Sequence, residues 1–261
     1  MSAAVIVNGV AGRMGRLVAT ALRRAPFEPV LGCDPAASGT PLQLDDGVLH
    51  VLGDLDDALE KGAVIVDFSH ADCTERLVEA ARAQGARLVI GTTGQSRRQL
   101  DALRDVSTQV PVVLARNFSL GINRLAQVLP MLRVLMREGF DVECIEAHHR
   151  QKRDAPSGTA MLLLEALLGD DPPGDYVHGR SGSESQRQRG EVGVHSLRAG
   201  QIPGEHTLVL AGEHEVLELR HRALGRAAFT SGVVPAVRFV RRSPPGFYSM
   251  LDVMLDDPSC A

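Results

Sequence analysis

The sequence predicts an α/β protein: a parallel sheet covered by helices on both faces, followed by a second, mostly open mixed sheet. Three observations predict it. Short β-branched runs (AVIV, PVLGC, AVIVDF, ARLVIG and VPVVLA) alternate with helical patterns through the first 120 residues, as βαβ units do. A glycine-rich stretch, GVAGRMG, joins the first run to the first helical pattern. After residue 120 the alternation gives way to longer strand patterns and polar connections.

Each element has a local justification. RMGRLVATALRR, ADCTERLVEAARAQ and SRRQLDALRDV carry apolar residues at spacings of three and four, as helices packed on a sheet require. INRLAQVLPMLRVLM predicts one long helix that crosses Pro130. DVECIEAHH, VGVHSLRAG, HTLVLAG and EVLELRHRA read as strands, the last with Leu217 and Leu219 opposite Glu218 and Arg220. The polar stretch from Gly169 to Gly190 is long for an ordinary connection and predicts a functional loop or flap. FTSGVVPAVRFVR and FYSMLDVML read as helical segments that return to the first domain.

Composition bounds the function. Twenty-eight Lys and Arg against 32 Asp and Glu leave a net charge of -4, with no overall attraction to nucleic acid or an anionic membrane. Cys33, Cys73, Cys144 and Cys260 lie far apart with no C-x-x-C spacing, so neither a metal site nor a disulfide framework is expected. The opening apolar run is too short for a signal peptide, and AMLLLEALL, interrupted by Glu165, is too short for a membrane span. The expected location is the cytoplasm.

The residues that follow the predicted strands carry the chemistry, because open α/β sheets bind ligands at strand C-termini. Gly9, Val10, Ala11, Gly12, Arg13 and Met14 form a turn suited to a pyrophosphate at a helix start. Asp34, about 20 residues on, is placed to accept hydrogen bonds from a ribose. A Rossmann-like nucleotide-binding domain follows from the pair. Gly91, Thr92 and Thr93, then Ala115, Arg116, Asn117 and Phe118, stand at the ends of later strands, where they would face a nicotinamide.

EAHHRQKRDAPSGTA, residues 146–160, concentrates cations and imidazoles before a helix start. Asp154 is expected to cap that helix, with Pro156 in its first turn and the N–H groups of Ser157, Gly158 and Thr159 forming a carboxylate or phosphate cradle. His148, His149 and Lys152 stand directly upstream, so an anion held there would lie among proton donors. Among Arg180, Arg187, Arg189 and Arg198, one could reach a substrate carboxylate, although a solvated loop is the plainer reading for each.

HHRQKRDAPSGTA resembles the substrate-binding motif of dihydrodipicolinate reductases, and GVAGRMG, DFS, GTTG, ARNFSLGIN, RAGQIPGEH and SGVVPA extend the resemblance over nearly the whole chain. The resemblance implies a nucleotide-binding domain of residues 1–119 and 229–261, and a central α+β substrate-binding and oligomerisation domain of residues 120–228 that forms a homotetramer by sheet association. It places proton handling on His148 and Lys152, and binding of a small dicarboxylate on His149, Lys152, Ser157, Gly158 and Thr159. Its cofactor positions are the strand-end residues named above. NADH is expected to be preferred and NADPH possible, since Pro35 stands where many relatives place an arginine after the ribose-binding acid. A dehydrogenase of an amino acid such as aspartate could share the first domain, and a dinucleotide-sensing regulator is a third reading. The His-Lys motif and helix-start cradle favour the first.

Overall fold

The computed structural model describes residues 3–27, 29–169 and 174–256. The chain divides into two compact units, Met1–Ser119 with Phe229–Ala261, and Leu120–Ala228.

The first unit is built on an eight-stranded sheet. Its strands are β1 (Val5–Asn8), β2 (Val30–Cys33), β3 (Pro41–Leu44), β4 (Gly47–Leu52), β5 (Val64–Asp67), β6 (Arg87–Ile90), β7 (Pro111–Leu114) and β13 (Gly246–Tyr248). They lie in the order β13-β7-β6-β5-β1-β2-β4-β3, all parallel except β3, which runs antiparallel to β4. The order reverses at β1, flanked by β2 and β5, and that switch point opens a crevice at the strand C-termini. VIVN in β1 and VIVD in β5 are buried throughout, as strands covered on both faces must be. One face packs under α1 (Arg13–Arg23), α7 (Val233–Arg242) and α8 (Met250–Leu255), the other under α2 (Thr74–Gln84) and α3 (Arg97–Val106).

The second unit holds a five-stranded mixed sheet of β8 (Asp141–His148), β9 (Tyr176–Val177), β10 (Val192–Arg198), β11 (Glu205–Ala211) and β12 (Val216–Arg222), ordered β12-β11-β8-β10-β9. Alternation along β8 turns Val142, Cys144, Glu146 and His148 to the covered face, where α4 (Leu120–Val128) and α6 (Gly158–Leu168) supply the opposing apolar surface. The other face exposes Ile145 and Leu197.

Three elements differ from the sequence-based expectation. Residues 41–52 form the β3–β4 hairpin, in which Leu42, Leu44, Leu49 and Val51 are buried and their neighbours face solvent. The single helix expected across Pro130 is broken into α4, a 3-10 turn (Leu129–Leu132) and α5 (Arg133–Arg137), because proline removes a donor and its ring clashes with the preceding turn. FYSMLDVML is not wholly helical: Phe247 and Tyr248 belong to β13, and Ser249 starts α8 with a capping box to Asp252. Within the expected loop, residues 170–173 lie outside the described residues, and Tyr176–Val177 adds a short edge strand to β10. Cys260 also lies outside them; Cys33, Cys73 and Cys144 are free thiols. Among the described residues no helix is long and apolar enough to cross a membrane.

Candidate functional site

In the first unit the glycine turn follows β1. Gly9 has φ +77°, and a Cβ there would stand 2.7 Å from the Phe68 carbonyl oxygen and the Ser69 Cα, so only glycine fits. The turn's own donors hold the turn together. Gly9 and Val10 N–H donate to the Cys33 carbonyl at 2.9 and 3.3 Å, Gly12 N–H to the Gly9 carbonyl at 3.1 Å, and Ala11 N–H to Asp34 Oδ2 at 3.0 Å. What remains for an anion is the start of α1, which has no side-chain cap and no acid in its first turn. The Arg13 and Met14 N–H groups are thus the donors at the positive end of the helix dipole. Arg16 folds back, its Nε donating to the Ala11 carbonyl at 3.1 Å.

A cavity of about 610 Å³ opens on this turn, lined by Gly9, Gly12, Asp34, Phe68, Asp54 and Arg76 among others. A tight glycine cradle, an uncapped helix start and a cavity of this size fit a dinucleotide. Asp34 Oδ1 accepts from Ala36 N–H at 3.1 Å, so each carboxylate oxygen has one backbone donor and keeps acceptor capacity. Arg76 Nη2 lies 2.5 Å from Asp54 Oδ1 and 2.6 Å from Asp56 Oδ2. The surroundings are acidic: burial first, then the charges of Asp54, Asp34 and Asp57, push the Cys33 thiol up to about 12.

Beneath the crevice Asp67 is 1% exposed and accepts from Asn8 Nδ2 at 2.7 Å and Ser69 Oγ at 2.5 Å. Burial raises its carboxyl above the ordinary value despite those bonds. Gly91 leaves room for the Phe68 ring, on which a Cβ would fall. Gly91 and Thr92 N–H both donate to the Asp67 carbonyl, which brings Gly91, Thr92 and Thr93 beside this floor. Ala115, Arg116, Asn117 and Phe118 follow β7; Asn117 Oδ1 accepts from Ser119 N–H at 2.8 Å, and the Phe118 ring is buried against Phe68, centroids 5.6 Å apart. The Phe118 ring is therefore committed to the core, and its carbonyl accepts from the Gly232 N–H at 2.7 Å.

In the second unit the motif 146–160 runs from the end of β8 into α6. Ser157, not Asp154, is the N-cap of α6: its Oγ accepts from Ala160 N–H at 3.1 Å. The same Oγ lies 3.1 Å from His206 Nε2, and Ser157 is 1% exposed. Its N–H donates to Glu146 Oε1 at 3.2 Å, so Gly158 and Thr159 carry the outward part of the helix start. Asp154 accepts from Lys152 Nζ at 2.9 Å on both oxygens. Burial raises the Asp154 carboxyl, but the Lys152 ammonium and the backbone N–H of Asp154 and Gly158 outweigh it and hold it below its ordinary value. A carboxylate beside the Gly158 N–H is thus already favoured.

Strand register assembles a polar layer that the sequence analysis did not single out. Ser196, Glu146, His206 and His221 stand opposite one another on β10, β8, β11 and β12. Glu146 is fully buried, with its Oε2 2.5 Å from His148 Nδ1 and its two oxygens bridged by the Arg198 guanidinium at 2.8 and 2.9 Å. Burial raises its carboxyl, yet hydrogen bonds from His148, Arg198 and Ser196 bring it down to about 2. His206 stays neutral because burial, then His148, lower it to about 3, and their rings meet edge-on at 5.2 Å. Glu146 and His148 share a strand face at i and i+2, a signal present in EAHH itself; His206 and Arg198 become neighbours only through strand pairing. Arg180 pairs with Glu143 and Glu191, Arg187 with Asp141 and Glu143, and Arg198 with Glu146, so these three arginines are engaged by carboxylates. His149 immediately follows β8.

Fold and site define a Rossmann-like α/β unit whose glycine turn opens on a cavity, and a mixed-sheet unit in which a helix start capped by Ser157 follows a histidine and a lysine. Residues 3–118 match the family described as dihydrodipicolinate reductase, N-terminus, and residues 121–254 the family described as dihydrodipicolinate reductase, C-terminus. The 4-hydroxy-tetrahydrodipicolinate reductase of Alkalilimnicola ehrlichii is 37% identical, the match covering 97% of this chain and 99% of that protein. That of Caldanaerobacter subterraneus is 36% identical over 96% of this chain and 97% of the relative. A dipicolinate-bound dihydrodipicolinate reductase from Paenisporosarcina shares the fold, with a TM-score of 0.72 at 22% identity over 95% of this chain and 98% of that one. The chain belongs to the dihydrodipicolinate reductase family.

Proposed function

We infer that this protein is an NAD(P)H-dependent oxidoreductase that reduces 4-hydroxy-tetrahydrodipicolinate, by way of dihydrodipicolinate, to tetrahydrodipicolinate in lysine and diaminopimelate biosynthesis. The observation that carries the inference is the start of α6, where Gly158 and Thr159 follow a buried cap and Lys152 and His148 stand upstream. A dicarboxylate is the anion such a helix start and an ammonium accept.

The residues divide the work. Gly9, Val10, Ala11 and Gly12 shape the turn, Arg13 and Met14 meet a pyrophosphate, Asp34 takes the ribose, and Gly91–Thr93 with Ala115–Phe118 border the nicotinamide. When bound, the reduced nicotinamide supplies the hydride. His149, Lys152, Gly158 and Thr159 hold the substrate, with Ser157 acting through the helix it caps. Lys152, held by both oxygens of Asp154, gives the proton that the reduced ring carbon takes up, and His148 tunes or relays it. Following oxidation of reduced nicotinamide with freshly made 4-hydroxy-tetrahydrodipicolinate tests the reading; no oxidation at any substrate concentration would refute it.

NADH is the preferred cofactor in this reading, because Asp34, Asp54 and Asp56 outnumber Arg76 at the ribose end and Pro35 adds no cation. NADPH remains usable. The exposed face of the mixed sheet, with Ile145 and Leu197, supports association into a homotetramer, which sedimentation would test. The cytoplasm is the location in keeping with the pathway.

A further inference from the structure

We propose that Glu146 is a positioning residue that holds His148 in the tautomer protonated at Nδ1, leaving Nε2 as the nitrogen that exchanges protons. The proposal rests on the reading of His148 as a proton-handling group.

A carboxylate can only accept, so a 2.5 Å contact between Glu146 Oε2 and His148 Nδ1 puts the imidazole proton on Nδ1. The carboxylate cannot turn away to serve otherwise. Arg198 Nη1 donates to Oε2 at 2.9 Å and Nη2 to Oε1 at 2.8 Å, a fork that fixes the carboxylate plane. Oε1 takes a further donor, the Ser157 N–H at 3.2 Å. One buried group therefore sets both the imidazole and the start of α6, and a displacement of Glu146 would disturb His148 and the anion cradle together.

Charge explains why the role is orientation before activation. Arg198 offsets the charge of Glu146, so what the carboxylate imposes on His148 is geometric, an acceptor fixed at Nδ1. The other groups bearing on this layer are His206 on β11 and His221 on β12, both held below the ordinary imidazole value by burial, and Lys152 upstream of α6. An imidazole whose ring orientation is fixed through Nδ1 suits a relay beside an ammonium donor. The low value of the Glu146 carboxyl, about 2, keeps it an acceptor throughout the working range.

The test combines spectroscopy with kinetics on the full chain. Nitrogen-15 spectra of histidine-labelled wild-type protein, with His148 assigned by its loss in His148→Asn and recorded across a pH series, should show Nε2 as the non-protonated nitrogen of the neutral ring. Glu146→Gln keeps the shape but can present an amide N–H to Nδ1, and should move the proton to Nε2. Its kcat should fall on the order of 100-fold or more, the scale of losing a positioned proton-transfer group, with the reduced-cofactor affinity unchanged. Glu146→Asp should restore the Nδ1-protonated tautomer and part of kcat. A wild-type His148 protonated at Nε2 overturns the proposal without any variant, as does Glu146→Gln with native kcat. Should His148→Asn retain native kcat while wild-type His148 is protonated at Nδ1, the proton-handling reading fails and the tautomer assignment stands.

Discussion

Asp34 binds the glycine turn directly: its Oδ2 accepts from the Ala11 N–H at 3.0 Å, while its Oδ1 accepts from Ala36 N–H at 3.1 Å. The residue assigned to the ribose is therefore also the brace of the loop assigned to the pyrophosphate. Asp34→Ala should weaken both cofactors, NADH the more, by about tenfold or greater, as expected for losing hydrogen bonds to a charged group. Titration of the bound-nicotinamide fluorescence measures it. Equal losses for NADH and NADPH would confine Asp34 to the brace.

Arg76 is held by Asp54 and Asp56, and it lines the same cavity as Asp34. Asp54→Asn should leave its guanidinium with one carboxylate instead of two, favour a ribose phosphate and lower the NADH-to-NADPH ratio of kcat/KM roughly two- to fivefold, the range of exposed ion pairs. The shift should shrink as salt rises. An unchanged ratio at low salt would assign NADPH tolerance to Arg13 or Arg16.

Lys152→Ala should lower kcat by about 100- to 10,000-fold with little change in reduced-cofactor affinity, the loss that the proposed general-acid role entails. Asp154→Asn removes the carboxylate that holds Nζ at 2.9 Å through both oxygens, and should lower kcat by about tenfold, the scale of a hydrogen bond to a charged group, with reduced-cofactor affinity unchanged. A native kcat in that variant would free the proton donor from Asp154.

His206 and Glu146 give the second unit a pH-dependent stability with a definite sign. His206 is lowered from 6.5 to about 3, so the unfolded chain binds its proton first and stability falls as pH drops from about 6.5 toward 3. Glu146 is lowered from 4.5 to about 2, so its contribution is present above about 4.5 and is lost as pH falls from there toward 2. Each group contributes a slope of up to about 1.4 kcal/mol per pH unit within its window. Urea midpoints followed by circular dichroism should fall between pH 7 and 5, and His206→Asn should flatten that part of the curve. An identical slope in the variant would assign the acid sensitivity elsewhere.

The parallel strands, the helices over them, the glycine turn and the motif before α6 were legible in the sequence because each is a local pattern: burial of VIVN and VIVD, three-and-four spacing, residues adjacent in the chain. Other features were legible only in part. The β3–β4 hairpin has the required alternation, yet Leu42 and Leu49 become core residues only by docking beside β2. Ser157 outcompetes Asp154 as the cap because the helix starts at Gly158, and Asp154 has Lys152 for a partner. The tertiary structure alone decided the surroundings of His148. Glu146 lies two residues away, but Arg198 and His206 come from strands 52 and 60 positions removed from Glu146, and only the register β10-β8-β11 sets them against its carboxylate. Strand pairing is a long-range choice among many alignments, and no local periodicity encodes which side chains it makes neighbours.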